Sequence, residues 1–544
     1  MTADAAEASA GRSGLEAGMS SAFRFPCEKG VVRSGEAERP CSRSAEPWIL
    51  AATVLASSMV FIDGMIVNLA LPQIQRELGA TLADAQWLVE AYLLFLAALL
   101  LIGGSLGDRY GRKRIFLIGT AAFSLASLLC GVAPGVEELI VARAVQGVGG
   151  ALLVPGSLAI LTAAFLKDRR GRAFGTWSAF TAVSTGVGPV LGGWIVEALS
   201  WRWCFFLNLP LGAAVLAITV WQVPESRAER PAGSLDWGGA ALSVIGLGGV
   251  VFGLIEAGAA GLGHPLVIGP AIAGALALIW FVFHERQAHA PMMPLSLFSS
   301  RTFAGANLLT LFLYGAMSAV FFFLPLNLIQ VQGYSASGAG AAMTPAVVVS
   351  FALSRWAGSL VDRFGSKLPL TVGPLVAGAG FFLCVLPGVG GSYWTTFFPA
   401  IVVFGVGMAI SVAPLTTTVM NAVPDEQAGV ASGVNNAVSR TAGLLAIAAL
   451  SVFVSMTFNT ALDARLDSVD LTAAAAAELD AERPKLGAAE VPPGLTESQQ
   501  SVVSAAIDES FVEAFQLVAI FATGLAVLSS FSAWAMVEGK RAAE

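Results

Sequence analysis

From Glu46 onward the chain alternates long apolar runs with short polar breaks. A helix needs about 20 consecutive, mostly apolar residues to cross the hydrocarbon core of a bilayer. Fourteen runs have that length, near 48–70, 86–107, 114–133, 137–160, 174–196, 203–223, 237–257, 265–283, 303–325, 338–360, 368–388, 394–418, 432–456 and 511–536. Most breaks are short; the one after 237–257 is only EAGAAGLGHP. A single long polar interruption, Leu462–Glu509, separates the last two runs and is acidic and Ala-rich. The pattern predicts an all-α polytopic membrane protein with fourteen transmembrane helices. Residues 1–45 are polar and lack the apolar core of a signal peptide. They are expected to form a disordered cytoplasmic tail, with Met19 an alternative start.

Composition supports this reading. Hydrophobic residues make up 56% of the 544 and charged residues only 12%, against roughly 25% charged in a soluble domain. Orientation follows from Lys and Arg. With the N-terminus inside, the cytoplasmic loops hold fourteen basic residues, among them Arg109, Arg112, Lys113, Arg114, Arg169, Arg170 and Arg172. The short outward loops hold only Arg76 and Arg202. Both termini are therefore expected in the cytoplasm. The net charge of −7 owes much to Leu462–Glu509 and says little about partners; nothing indicates nucleic acid. Cys130, Cys204 and Cys384 lie in apolar runs, Cys27 and Cys41 in the tail, and none has metal-ligand spacing. No phosphate-binding G-x-x-x-x-G-K-[ST] is present, and there is no nucleophile–base constellation. An enzyme, an ATP-driven pump and a metalloprotein are not expected.

A repeat organises the chain. GSLGDRYGRK, Gly104–Lys113, returns as GSLVDRFGSK, Gly358–Lys367, with seven of ten positions identical. Each copy ends the second span of a set of six. This gives an N-terminal six-helix half (46–225), two inserted helices with a cytoplasmic linker (226–297), a C-terminal six-helix half carrying the long outward loop (298–537, loop 462–509) and a short tail (538–544). Two halves in the same orientation form a parallel repeat, which builds secondary transporters.

The repeated stretch resembles the G-x-L-x-D-R-x-G-R-K signature of the major facilitator superfamily. FIDGMIVNLALPQI (61–74), ARAVQGVGGA (142–151), GVGPVLGGW (186–194) and WRWCFFLNLPLG (201–212) resemble, in order, further motifs of its 14-helix drug–proton antiporter branch, the EmrB/QacA type. The resemblance covers the chain from about residue 46 to the end. It implies a cytoplasmic gating motif at Gly104, Gly107, Asp108, Arg109, Gly111 and Arg112, with a second copy at Asp362, Arg363 and Gly365. In that copy Ser366 replaces the matching Arg, so its latch is expected to be weaker. Asp108 can pair with Arg112 at i+4. The resemblance also implies an antiporter motif at Gly186, Gly188, Pro189, Gly192 and Gly193, read as an outer seal.

Charged residues inside spans carry the energy-coupling expectation. At 1.5 Å per residue, Asp63 lies about 6 Å to the outer side of its span's centre, Arg143 about 7 Å and Glu90 about 10 Å. Two carboxylates then compete for one guanidinium, which leaves a proton-exchange site. Asp63 is the expected carrier, Arg143 its tuner and Glu90 the rival carboxyl; family resemblance agrees for Asp63 and Arg143. Gln146, Trp177, Phe180, Asn436 and Arg440 are expected to line a cargo cavity.

These readings point to a proton-driven efflux transporter of the bacterial inner (plasma) membrane. It is expected to need no cofactor beyond the proton gradient and to carry lipophilic drugs or similar small compounds, lipophilic or cationic, by alternating access. The rival expectations are a dedicated exporter of one metabolite or self-made antibiotic, and a non-transporting membrane sensor or assembly protein. The outward loop is where a periplasmic adaptor and outer-membrane channel would meet the protein, if one exists.

Overall fold

The computed structural model describes residues 32–33, 44–227, 235–424 and 427–539. It is built almost wholly of helices: α1 (Glu46–Leu78), α2 (Leu82–Tyr110), α3 (Arg112–Val132), α4 (Val136–Ala164), α5 (Lys167–Ala198), α6 (Arg202–Gln222, in two segments), α7 (Trp237–Ala260) and α8 (Pro265–Gln287). There follow α9 (Arg301–Leu326, continued by a π turn to Val331), α10 (Ala336–Phe364), α11 (Lys367–Leu383), α12 (Phe397–Asn421), α13 (Ala428–Leu466) and α14 (Glu497–Met536). Each of the fourteen apolar runs is thus a helix. Among the described residues twelve helices are long and apolar enough to cross a membrane, and α11 is a shorter apolar one. The remaining long helix, α5, opens on the charged stretch KDRRGR.

Two features depart from the sequence pattern. α13 and α14 extend into the polar interruption, which also holds a short helix, Ala473–Glu482. Arg483 bridges Asp463 and Asp480 there, and Arg465 bridges Glu509 and Glu513. Most of the expected N-terminal tail lies outside the described residues, but Val32–Arg33 pairs in parallel with Ser226–Arg227 just after α6.

Local chemistry sets the breaks. α1 ends on Gly79 in the left-handed conformation, φ +64°, whose N–H closes onto Gln75 O. α2 opens with a capping box in which Thr81 and Asp84 satisfy each other's backbone N–H. Between α2 and α3 the chain turns on Gly111, φ +114°, where a Cβ would meet the Glu225 carboxylate at 2.6 Å. Glu225 instead accepts from the N–H groups of Lys113, Arg114 and Ser226, capping the positive end of α3 from beyond α6.

Packing repeats with an offset of eight helices. α1 packs on α4, α5 and α6, α2 on α4, and α3 on α4 and α6. Likewise α9 packs on α12, α13 and α14, α10 on α12, and α11 on α12 and α14. The two sets meet along two seams, α5 with α10 and α2 with α13. The α7–α8 pair attaches at the second seam, where Leu247, Val251 and Ile255 of α7 join Leu94 and Ala98 of α2 and Leu444 and Ala448 of α13.

Small residues set the helix separations, as expected where packing rather than water exclusion holds helices together. A Cβ on Gly103 would lie 2.1 Å from Ala151 O, and one on Gly147 2.4 Å from Tyr92 O. The Gly103–Gly104 face, where the first repeat copy begins, therefore packs α2 onto α4 within one set of helices. Gly147→Ala is expected to force α2 and α4 apart and cost about 1–3 kcal/mol, the usual range for overpacking. Gly104→Ala is expected to be tolerated, because its Cβ would make an ordinary 3.5 Å contact with Pro155. Thermal unfolding of the two purified variants checks this; equal midpoints would contradict the packing described.

Candidate functional site

At the centre of the first helix set Arg143 of α4 meets Asp63 of α1, with the guanidinium NH1 2.5 Å from Asp63 Oδ2. Their side chains are 1% and 0% exposed. Sequence depth placed the two residues in one layer; the structure puts them in contact. Burying an ion pair costs several kcal/mol per ion in desolvation, which is recovered only if further hydrogen bonds complete both groups. Here they do. Asp63 Oδ1 accepts from Gln146 Nε2 and from Asn208 Nδ2, each at 2.9 Å. Arg143 NH1 also donates to Gln146 Oε1 at 2.6 Å, and its Nε to Leu88 O at 2.9 Å. Ser127 Oγ accepts from both amides, at 2.6 Å from Gln146 and 3.0 Å from Asn208. The Tyr92 ring lies beneath the guanidinium, 4.3 Å from its centroid to Cζ, a cation–π contact that strengthens when desolvated.

The network has five helices behind it: α1, α2, α3, α4 and α6. Every group hydrogen-bonded to Asp63 is a donor. The site therefore fits an ionised carboxylate and offers no acceptor for a carboxyl proton. Asn208 Oδ1, an acceptor within a side-chain flip of Asp63, is buried without a partner.

Two sequence expectations change. Gln146, expected to line the cavity, is fully buried in this network, because i+3 on α4 puts it on the Arg143 face. Glu90, expected to share the Arg143 layer, faces away from it. Tyr92, two residues on, lays its ring against Arg143, so Glu90 lies about 200° around α2 from that contact. It shares a stripe with Trp87 and Leu94, which pack toward α7 and α13. Depth along a helix gives level and not direction, which is why depth alone grouped the three. Glu90 is fully buried, and neither of its oxygens has a hydrogen-bond partner. Asn208 and Ser127 escaped notice because a single amide or hydroxyl in an apolar run carries no pattern; the lone Asn in FFLNLP was the available signal.

The repeat and antiporter motifs resolve into distinct roles. Asp108 pairs with Arg112 at 2.8 Å, but Arg112 is the first residue of α3, so the bond spans the Gly111 turn; Arg112 also donates to Ala159 O of α4. Arg109 is exposed beside the Tyr110 ring. In the second copy Gly365 ends α10 with φ +74° and Arg363 is exposed; the side chain of Asp362 lies outside the described residues. On α5, Gly188 and Gly192 abut Ile62, Met65 and Ile66 of α1, the neighbours of Asp63. The opposite face of α5 meets α10: Gly193 against Ala336, Pro189 against Gly340, and Gly186 against Val347. Of the cavity candidates, Trp177 donates to Ser57 Oγ at 3.1 Å, Phe180 and Asn436 are exposed, and Arg440 lies with its guanidinium 5.9 Å from the centroid of Phe61 on α1.

The family model for the Major Facilitator Superfamily matches residues 53–447, most of the chain and both copies of the repeat. The chain belongs to the major facilitator superfamily. It is thus an integral membrane transporter rather than an enzyme, and members of this kind draw on an ion gradient and need no cofactor. Among its curated relatives is the "Multidrug resistance protein Stp" of Mycobacterium tuberculosis (strain CDC 1551 / Oshkosh), 33% identical over 89% of this chain and 91% of that one. Another is the "Tetracenomycin C resistance and export protein" of Streptomyces glaucescens, 32% identical over 91% and 93%. The solved structure of a bacterial homologue of the human lysosomal transporter Spinster superposes with a TM-score of 0.63 over 91% of this chain and 98% of that one; at 17% identity the likeness is one of fold.

Removing either partner of the ion pair strands a buried charge. Asp63→Ala and Arg143→Ala are each expected to cost about 3–5 kcal/mol, and the double variant much less than their sum. A double-mutant cycle on unfolding midpoints checks the coupling; additive losses would contradict it.

Proposed function

We propose that the protein exports small organic compounds from a bacterial cytoplasm in exchange for protons, by alternating access in its plasma membrane. The named relatives support export, and the donor-only surround of Asp63 supports protons as the coupling ion. The basic ends of the helices, with Arg109–Arg114 and Arg169–Arg172, are taken as cytoplasmic by the positive-inside rule. The α5–α10 contacts at Gly193 and Ala336 then lie toward the outside and seal that end, and the halves 46–225 and 298–537 rock about the central layer. A single-antibiotic exporter is the second reading, supported by the tetracenomycin C relative.

The proposed cycle follows from the hydrogen-bond inventory. With Asp63 ionised, three donors converge on it and α1 is held to α4 and α6. Once cargo export has opened the outer end, a proton reaching Asp63 from that side converts the carboxylate into a group with an O–H to donate. That O–H has only donors to face, so at least one of the three bonds breaks, Arg143 loses its counter-charge, and one of the two amides, Asn208 or Gln146, flips to offer its oxygen. The segment of α1 that shifts is the one bearing Ile62, Met65 and Ile66. Gly188 and Gly192 press on those residues without side chains to absorb the movement, so α5 moves with it and carries the change to α10. Proton release inward restores the pair. Glu90 is the second carboxyl on which a proton can ride, since no described group compensates its charge in this conformation.

Everted membrane vesicles test the exchange. Dye accumulation in the lumen is expected to require an acid interior. Asp63→Asn is expected to abolish gradient-driven accumulation while leaving gradient-free dye exchange. Accumulation that survives collapse of the pH gradient, or an Asp63→Asn variant that pumps as well as the wild type, would contradict proton coupling at this residue.

A further inference from the structure

Among the described residues, two guanidiniums lie within the helix bundle, and only Arg143 is paired with an anion. Arg143 is neutralised by Asp63 and sealed from solvent. Arg440 lies on the face of α13 turned toward the other half: Gly433, Ala437 and Leu444, at its i−7, i−3 and i+4, all pack against N-terminal residues. It is only partly buried, so it borders space between the halves. Among the described residues it makes no hydrogen bond and no ion pair; its guanidinium lies over the face of Phe61, 5.9 Å from the ring centroid. Glu90 does not balance it: neither of its oxygens has a hydrogen-bond partner. A charged side chain at mid-helix costs about 2.5–3.5 kcal/mol on insertion scales, and here no internal partner offsets that cost.

The facing surface of α1 has the shape of a shelf. Phe61 contributes a ring. Gly64, one turn on, faces open space, with no atom within 4 Å of where a Cβ would stand. Asn68, one turn further, has a buried Oδ1 without a partner. Together these groups offer a cation, a flat apolar surface and an unused amide.

We propose that Arg440 is the cargo-binding cation, and that the cargo is an aromatic compound bearing an anionic oxygen, a carboxylate or an acidic phenolate, seated against Phe61. The proposal rests on the export reading above and adds the charge of what is exported. It departs from the cationic cargo entertained from the sequence: with Asp63 and Arg143 cancelling, the accessible charge of the central space is positive. A guanidinium pairs with a carboxylate through two parallel N–H bonds that an ammonium cannot reproduce, so Lys at this position keeps the attraction and loses the fork.

Equilibrium binding to the detergent-purified protein tests this without requiring transport. The probes are fluorescein, an aromatic anion, and rhodamine 6G, a cation with a related ring system, both read by fluorescence anisotropy. Wild type is expected to bind fluorescein saturably and more tightly than rhodamine 6G. Arg440→Gln is expected to weaken fluorescein roughly tenfold or more and to leave rhodamine 6G unweakened, and Arg440→Lys to fall between. The rhodamine 6G values and gel-filtration profiles separate loss of the cation from loss of the fold. Absence of saturable fluorescein binding by wild type, equal fluorescein affinity in Arg440→Gln, or tighter binding of rhodamine 6G than of fluorescein by wild type would each overturn the proposal. The binding series uses wild type and the Arg440 variants without a gradient, so it is independent of the Asp63→Asn vesicle assay: failure of the vesicle assay would sink proton coupling and leave the cargo assignment standing, and failure of the binding series would do the opposite.

Discussion

A carboxylate that receives three hydrogen bonds and gives none, in a place water does not reach, is the constraint on which the rest of the protein depends. Asp63 is held by Arg143, Gln146 and Asn208, and those bonds join α1 to α4 and α6 more specifically than apolar packing can in a bilayer, where lipid competes for the same contacts. The same arrangement makes the joint sensitive to one proton. A neutral carboxyl has a different donor and acceptor count, and the surrounding groups can accommodate it only by rearranging. Stability of one state and the means of leaving it lie in the same bonds.

The proposed transmission needs a helix that touches both α1 beside the ion pair and the other half, and α5 is so placed. One face carries Gly188 and Gly192 against the residues flanking Asp63; the other carries Gly186, Pro189 and Gly193 against α10. Backbone contacts without intervening side chains transmit displacement directly, since close-packed interiors yield little. At the basic end, the Gly111 turn with Asp108–Arg112 and the Glu225 cap ties α2, α3 and the end of α6 into one unit, so the N-terminal helices are braced to move as a body.

The sequence disclosed the fold because membrane helices advertise themselves by length and hydropathy, and the repeat of GSLGDRYGRK revealed the duplication before any contact was seen. It disclosed Asp63 and Arg143 because charges within apolar runs are rare. What it could not convey was azimuth. Glu90 had the right depth and the wrong direction, and Gln146, on the correct face of α4, belongs to the ion-pair network and not to the cavity. Asn208 and Ser127 stayed hidden because neutral polar residues are common enough in spans to carry no signal singly. Glu225 lies 114 residues beyond the Gly111 turn it completes, a distance no local pattern bridges.

The central claim is that the charge on Asp63 governs the α5–α10 seam. Pulsed electron-spin distance measurement tests it, with labels at Leu199, just past α5, and Gly333, just before α10, in a background lacking Cys27 and Cys41. The account predicts a single short distance when Asp63 is ionised and a second, longer population when it is neutralised by Asp63→Asn. Identical distance distributions in the two proteins would contradict it.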